Sequence, residues 1–226
     1  MKAELIDRMG NDLSVVNAAR VSFDKESEWE VRTTSEGVSC GVRLSEKDVK
    51  LINYLAKHNH FTPFTHPQIT LRETVPIFVA RQRFKHFVGF TYNEVSRRYV
   101  DDEPEFYVPD VWRSRPEGSV KQGSGEEVAD ELQRLCDSMY ASSAKSCLNT
   151  YNLMIEKGVA PEQARMVLPQ SMYTSYYVTG SLAAFARFYR QRIDDHAQKE
   201  IQELAKQVGA IIQPLYPVSW KALVEG

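Results

Sequence analysis

Apolar and polar positions along the chain change period several times, and each change marks an element. Residues 2–7 (KAELID) alternate with the period of two that a half-buried strand needs, and QITLRETV (68–75) does the same. SMYTSYYVTG (171–180) is rich in Tyr and other β-formers and reads as a further strand. Helical spacing governs most of the rest. Asn11 or Asp12 stands where a cap belongs for NDLSVVNAARVSF, and Ser45 stands ahead of Val49, Ile52 and Leu55, which share one helix face. Pro76 opens PIFVARQRFKHF, because a missing N–H costs nothing in a first turn, and Gly89 reads as the stop. The longest helix is expected near residues 126–157. There Val128, Leu132, Leu135 and Met139 recur in steps of four, three and four, which predicts a buried face, and Gly158 ends it. Pro161 opens PEQARMVL, and two more helices follow in SLAAFARFYRQR and DDHAQKEIQELAKQVGAII. Residues 24–44 are polar and mixed and read as a loop; residues 100–124 read as loop and short strand. The sum is an α+β fold in a single domain over residues 1–226, with a central mixed or antiparallel sheet flanked by helices.

Composition narrows the class. A chain of 226 residues with 42% hydrophobic and 26% charged residues can bury a core without disulfide staples. The three cysteines, Cys40, Cys136 and Cys147, show neither CxxC nor zinc-ligand spacing, and a sparse, odd count fits a reducing compartment. MKAELIDRMG carries no apolar signal region and no run approaches spanning length, so the expected location is the cytoplasm. A net charge of −2 argues against a general nucleic-acid coat, which would need a wider basic surface.

Against that near-neutral background, RQRFKHFVGFTYNEVSRRY (81–99) stands out. Arg81, Arg83, Lys85, His86, Arg97 and Arg98 are interleaved with Phe84, Phe87, Val88, Phe90, Tyr92 and Tyr99. A basic helix can be no more than a solvated face. Here Asn93, Glu94 and Ser96 add hydrogen-bonding groups among the cations, a mix that suits a phosphate attached to a heteroaromatic ring. A groove for single-stranded nucleic acid uses similar parts. Neither GxGxxG nor GxxxxGK[ST] is present, so side chains must hold any nucleotide. His58, His60 and His66 match no metal-ligand spacing; they read as polar histidines of a ligand-facing loop, and no metal is expected. RQRIDDHAQ (190–198) has two readings: salt bridging at a helix end, with Asp194 or Asp195 as the cap, or an arginine held by nearby carboxylates and aimed at a substrate.

Taken together, MGNDLSVVNAARVSF (9–23), LINYLAKHNHFTPFTH (51–66), PIFVARQRFKHF (76–87), YNEVSRRY (92–99), EQARMVLP (162–169) and RQRIDDHAQ resemble the flavin-dependent thymidylate synthase family over most of the chain. The resemblance implies methylation of dUMP to dTMP, with methylenetetrahydrofolate as carbon donor, NADPH-reduced FAD as hydride donor and tetrahydrofolate released. It also implies a homotetramer whose sites form between subunits, no cysteine nucleophile, and no stable nucleic-acid or membrane partner. By position, Gln82, Arg83, Phe84, Lys85, Glu94, Val95, Ser96, Arg97, Arg98, Arg165 and Arg192 fall at the dUMP side. Arg192 matches the catalytic arginine that activates the uracil ring. Thr62, Lys85, His86, Phe87, Val88, Glu94, Ser181 and Arg187 fall at the FAD side, and His60 lies near flavin and folate.

The chain departs from the family pattern at three places. Lys85-His86-Phe87 stands for Arg-His-Arg, and eight residues rather than seven precede Ser96, a variant that resembles phage-encoded members and would place the protein in a host cytoplasm. Ser181-Leu182-Ala183 stands for an Asn-Ala-Arg run, and Arg187 stands where an Asn is expected. Lysine neutralises phosphate without gripping it bidentately, and Phe87 cannot neutralise it at all. Two rival expectations follow: a relative that binds dUMP and flavin without turnover, and a single-strand-binding module on residues 81–99.

Overall fold

The computed structural model of the chain describes residues 1–33, 35, 39–99, 102–116 and 123–226. Its elements in chain order are β1 (Lys2–Met9), α1 (Asp12–Arg20), β2 (Glu30–Thr33), β3 (Ser39–Arg43), α2 (Glu46–Lys57), β4 (Gln68–Pro76), α3 (Ile77–Arg83), β5 (Phe90–Glu94), α4 (Asp130–Glu156), α5 (Pro161–Ala164), β6 (Tyr173–Ser181), α6 (Leu182–Arg192), α7 (Lys199–Ile212) and α8 (Pro217–Glu225). The fold is α+β. Its main sheet is antiparallel, in the spatial order β1-β4-β6-β5.

Alternation decides which face of the sheet is covered. Ile69, Leu71 and Val75 of β4 and Tyr176 and Val178 of β6 point inward. They join Leu182, Phe185 and Phe188 of α6, Ile201, Leu204 and Val208 of α7, and Trp220 of α8 in one buried core. Each such large apolar side chain contributes about 1.5–3 kcal/mol by leaving water, before the ordering entropy that opposes it. Two of the caps that the sequence places are present. Asn11 and Ser14 exchange side-chain and backbone hydrogen bonds at the start of α1, and Ser45 accepts from Asp48 N at the start of α2.

Several elements differ from the sequence reading, each for a local reason. Within residues 24–44, β2 pairs with β3 as an exposed hairpin. Neither strand carries an apolar face, so no alternation marks it. Helix α3 ends at Arg83, well before Gly89, because Phe84 N, Lys85 N and His86 N turn back on the helix end. Gly89, at φ +80°, instead launches β5, a strand outside the sequence expectations; a Cβ there would stand 3.0 Å from that of Ala184. Helix α4 begins at Asp130, and Leu132, Leu135 and Met139 are 45%, 54% and 62% exposed, so the predicted buried face lies open in the single chain. PEQARMVL is one helical turn running into a 3₁₀ turn at Arg165–Val167. Helix α7 starts after Gln198, and neither Asp194 nor Asp195 caps it. Helix α8 is a further addition; the buried Asp12 carboxylate accepts from Val218 N and Ser219 N, each at 2.9 Å. Among the described residues, no helix is long and apolar enough to cross a membrane.

Candidate active site

The basic stretch is built around a buried ion pair. Glu73 occupies an inward position of β4, where alternation would place an apolar side chain, and Tyr176 is its partner across the β4–β6 ladder. Arg83, the last residue of α3, is 0% exposed, as is Glu73. Arg83 Nε donates to Glu73 Oε2 at 3.1 Å and Nη2 to Oε1 at 3.2 Å, while Tyr176 Oη donates to Oε2 at 2.6 Å. The guanidinium lies 4.1 Å from the ring centre of Phe188 and 4.4 Å from that of Phe90. Its Nη1 donates to Tyr92 Oη at 2.7 Å, and Tyr92 Oη donates to the carbonyl of His86 at 2.7 Å. Burial pushes the Tyr92 phenol up to about 12, and burial together with Glu73 raises that of Tyr176 well above its ordinary value, so both remain donors. Arg83 is therefore a core cation that fixes the turn after α3. Its side chain, expected at the dUMP side, is buried and lines neither of the clefts described below.

Helix α3 divides two clefts that share no lining residue. On one side, a cleft of about 640 Å³ gathers Arg81, Phe84, Glu94, Val95, Ser96, Arg97, Arg165 and Thr174. Val95 N donates to Ser175 O at 2.9 Å, which continues the β5–β6 pairing, and Glu94 Oε1 accepts from Thr174 Oγ1 at 2.6 Å. Arg98 is exposed, donates from Nε to Ser96 Oγ at 3.1 Å and lies over the Tyr99 ring. Arg97 donates to the carbonyl of Asp102, and Arg165 to that of Glu162 at 3.3 Å. Of the residues expected at the dUMP side, Phe84, Glu94, Val95, Ser96, Arg97 and Arg165 thus come together here. Arg81 joins them unannounced. Its place one residue before Gln82 on a helix is the only sequence signal that the two residues face different clefts.

On the other side, a cleft of about 650 Å³ is lined by Gln82, Gln191, Arg192, Asp194, His196 and Gln198, among others. Arg192, at the end of α6, is half-buried, and burial lowers its pKa. Its holder is not a carboxylate, as one sequence reading had it. Arg192 Nε donates to His86 Nε2 at 2.8 Å, and the Asp194 carboxylate is turned to His196 N at 2.8 Å. His86 is buried, edge-on to Phe188. Burial first, then Arg192, Arg83 and Arg187, push its pKa down to about 4.

The residues expected at the flavin side line neither cleft, except Glu94 in the first. Lys85, Phe87 and Val88 are exposed on the turn between α3 and β5, and Arg187 donates to the Val88 carbonyl. Ser181 is buried and its hydroxyl oxygen caps α6, accepting from Ala184 N at 3.2 Å. His60 is exposed and edge-on to Tyr54, and Thr62 opens a 3₁₀ turn at Thr62–Thr65.

Residues 4–218 match the family described as "Thymidylate synthase complementing protein". The flavin-dependent thymidylate synthase of Thermosipho africanus is 37% identical over 221 residues, 98% of this chain and 90% of that one. The enzyme of the same name from Thermus thermophilus is 33% identical, over 98% of this chain and 74% of that one. Among solved structures, the UMP/dUMP methylase PolB from Streptomyces cacaoi bound with 5-Br UMP superposes with a TM-score of 0.82 at 28% identity, covering 99% of this chain and 93% of that one. The same methylase bound with 5-Br dUMP gives 0.80 at 29%. A match of this extent places the chain in the flavin-dependent thymidylate synthase family.

Proposed function

We propose that the protein, a single catalytic domain over residues 1–226, methylates dUMP to dTMP with methylenetetrahydrofolate as carbon donor and NADPH as reductant. The observation that carries this reading is the division of charge around α3. One cleft collects donors for a phosphate, and the other holds one partly buried arginine with an uncompensated charge. Ser96, Arg97, Arg98 and Arg165 grip the phosphate, with Arg165 offering a planar fork. Phe84 and Val95 supply apolar surface beside them. Arg192, with Gln82 in the same cleft, faces the uracil edge, where a cation stabilises negative charge developing on the ring. No thiol is required for that activation; Cys40 lies on β3 and Cys136 and Cys147 on α4, none of them lining either cleft.

The residues on the α3–β5 turn fit FAD. Exposed Phe87 and Val88 offer apolar surface beside the cations of Lys85 and Arg187, the combination an amphiphilic dinucleotide diphosphate needs. Bound there, the flavin supplies the hydride. Lys85 and Arg187 neutralise its diphosphate, Arg187 standing in for the cation missing at Phe87. Thr62 belongs to the FAD side, and His60 lies near flavin and folate. Arg187→Ala should weaken FAD at least tenfold while leaving dUMP affinity intact, as read by flavin fluorescence titration; unchanged FAD affinity disposes of the compensation. The exposed apolar face of α4 and the separation of the two clefts favour a homotetramer with sites shared between subunits.

The deciding experiment is tritium release from dUMP labelled at C5, with NADPH, methylenetetrahydrofolate and FAD, each omitted in turn. Release that needs all of them, with dTMP formed, is the expected result. Folded protein that binds dUMP and releases no tritium would leave a binding protein instead. Sedimentation equilibrium on the same preparation tests the tetramer, which a monomer would rule out.

A further inference from the structure

We infer that His86 is a positioning residue for Arg192: its neutral imidazole accepts from Arg192 Nε and aims the guanidinium into the Gln82–Gln198 cleft without cancelling its charge. The contact joins residues 106 positions apart, from the turn after α3 to the last residue of α6. Because Arg192 Nε–H donates, His86 Nε2 carries the lone pair and the ring proton sits on Nδ1. Arg192 Nη1 and Nη2 make no hydrogen bond or ion pair among the described residues, which leaves their donors available to a ligand in the cleft that Arg192 lines.

A carboxylate in the same place would orient the arginine equally well. It would also pair with it and remove the field that the substrate is to feel. A neutral acceptor does the first without the second. The imidazole keeps that state because every charged group acting on it is a cation: Arg192 and Arg187 from α6, and Arg83 from α3. Glu73, the nearest carboxylate in this network, is taken by Arg83 and Tyr176. Burial adds to the same effect, so the ring stays neutral until the pH approaches about 4. The sign for stability follows. The unfolded chain takes up a proton near the ordinary 6.5 that the folded imidazole refuses, so the stability tied to the neutral, buried ring is complete above 6.5 and is lost as the pH falls through about 4. The ring is itself held. Tyr92 fixes the His86 carbonyl at 2.7 Å, and Phe188 meets the imidazole edge-on at 5.1 Å.

The inference rests on the proposed role of Arg192 at the uracil edge, and the test separates the two. His86→Gln keeps an acceptor at the position of Nε2, whereas His86→Phe keeps only a ring. In flavin-loaded protein, His86→Phe should weaken dUMP by roughly tenfold or more by calorimetry, and His86→Gln should restore it to within about threefold. In the Arg192→Ala background, His86→Phe should add nothing, since the contact is already gone. Flavin absorbance measured on each variant guards against lost cofactor. In ¹⁵N-labelled protein, the His86 Nε2 resonance should remain that of an unprotonated acceptor from pH 8 down to 5. Equal loss in both His86 variants, additive loss in the double variant, or a protonated Nε2 at neutral pH would overturn the positioning role. Turnover that survives Arg192→Ala would overturn the role given to Arg192 instead, while the resonance and the double variant still decide the contact.

Discussion

Arg192→Ala should lower kcat for dTMP formation by about 10²–10³-fold, the loss seen when one preorganised donor to a developing charge is removed. Flavin content should be unchanged and the thermal midpoint should fall by no more than a few degrees, because Arg192 sits at the last turn of α6 and its partner among the described residues is His86 alone. Substrate affinity should fall far less than kcat. Phosphate binding is assigned to the other cleft, so dUMP affinity should fall only by the roughly tenfold that the uracil-edge contact carries, and the larger part of the loss belongs to the chemical step. Arg192→Lys sharpens the test. Lysine keeps a cation but has no Nε–H to give His86 and no planar fork for a carbonyl and a ring nitrogen together, so recovery should be partial. A preparation of Arg192→Ala that turns over within tenfold of the parent would remove Arg192 from the catalytic centre. The division of labour across α3 would then need another cation in the Gln82–Gln198 cleft, where Arg190 is the remaining arginine.

Much of this site was legible in the sequence because it is local. Glu94, Val95, Ser96 and Arg97 fall on one strand end, and β5 delivers them to one cleft. Their partner Arg165 was legible through its own short motif. What sequence could not separate was the fate of arginines that look alike. Arg81, Arg83, Arg97 and Arg98 occupy one basic run, yet Arg83 is wholly buried while Arg98 is exposed. The distinguishing sign lay elsewhere, at Glu73, a carboxylate on the inward phase of an alternating strand. A buried charge of that kind demands a buried partner. The His86–Arg192 contact was hidden for a different reason. Nothing local relates a turn to a helix end 106 residues later, and the carboxylates flanking Arg192 in sequence drew attention to the wrong holder. The strand β5 escaped because FTYNE is short and only half-buried, and the β2–β3 hairpin because neither of its faces is apolar. The open face of α4 is the reverse case: the period was read correctly, but the cover that the pattern predicts does not come from the chain itself.

Glu73→Gln should destabilise the fold by about 3–5 kcal/mol, since it strands the Arg83 guanidinium in the core without a counter-charge. At roughly 2–4 °C per kcal/mol for a chain of this size, the thermal midpoint should drop by about 10 °C. The cost comes from the unpaired charge more than from the missing attraction, and a second variant isolates it. Replacing Glu73 by Leu, Arg83 by Met and Tyr176 by Phe removes both charges and the phenol that serves them, so most of the loss should be regained. That apolar variant is the informative one for function. It still lacks the Arg83–Tyr92 bond at 2.7 Å that steadies the phenol holding the His86 carbonyl. It should therefore be near-parental in thermal stability yet impaired in dUMP affinity and turnover. A triple variant that recovers both would make the ion pair a packing feature alone. A Glu73→Gln protein that melts within about 2 °C of the parent, under one kcal/mol at this chain size, would mean that water or a relaxed side chain reaches Arg83, contrary to its complete burial. If stability returns and activity does not, the buried pair is kept because it sets the turn that carries His86, and through His86 the direction of Arg192.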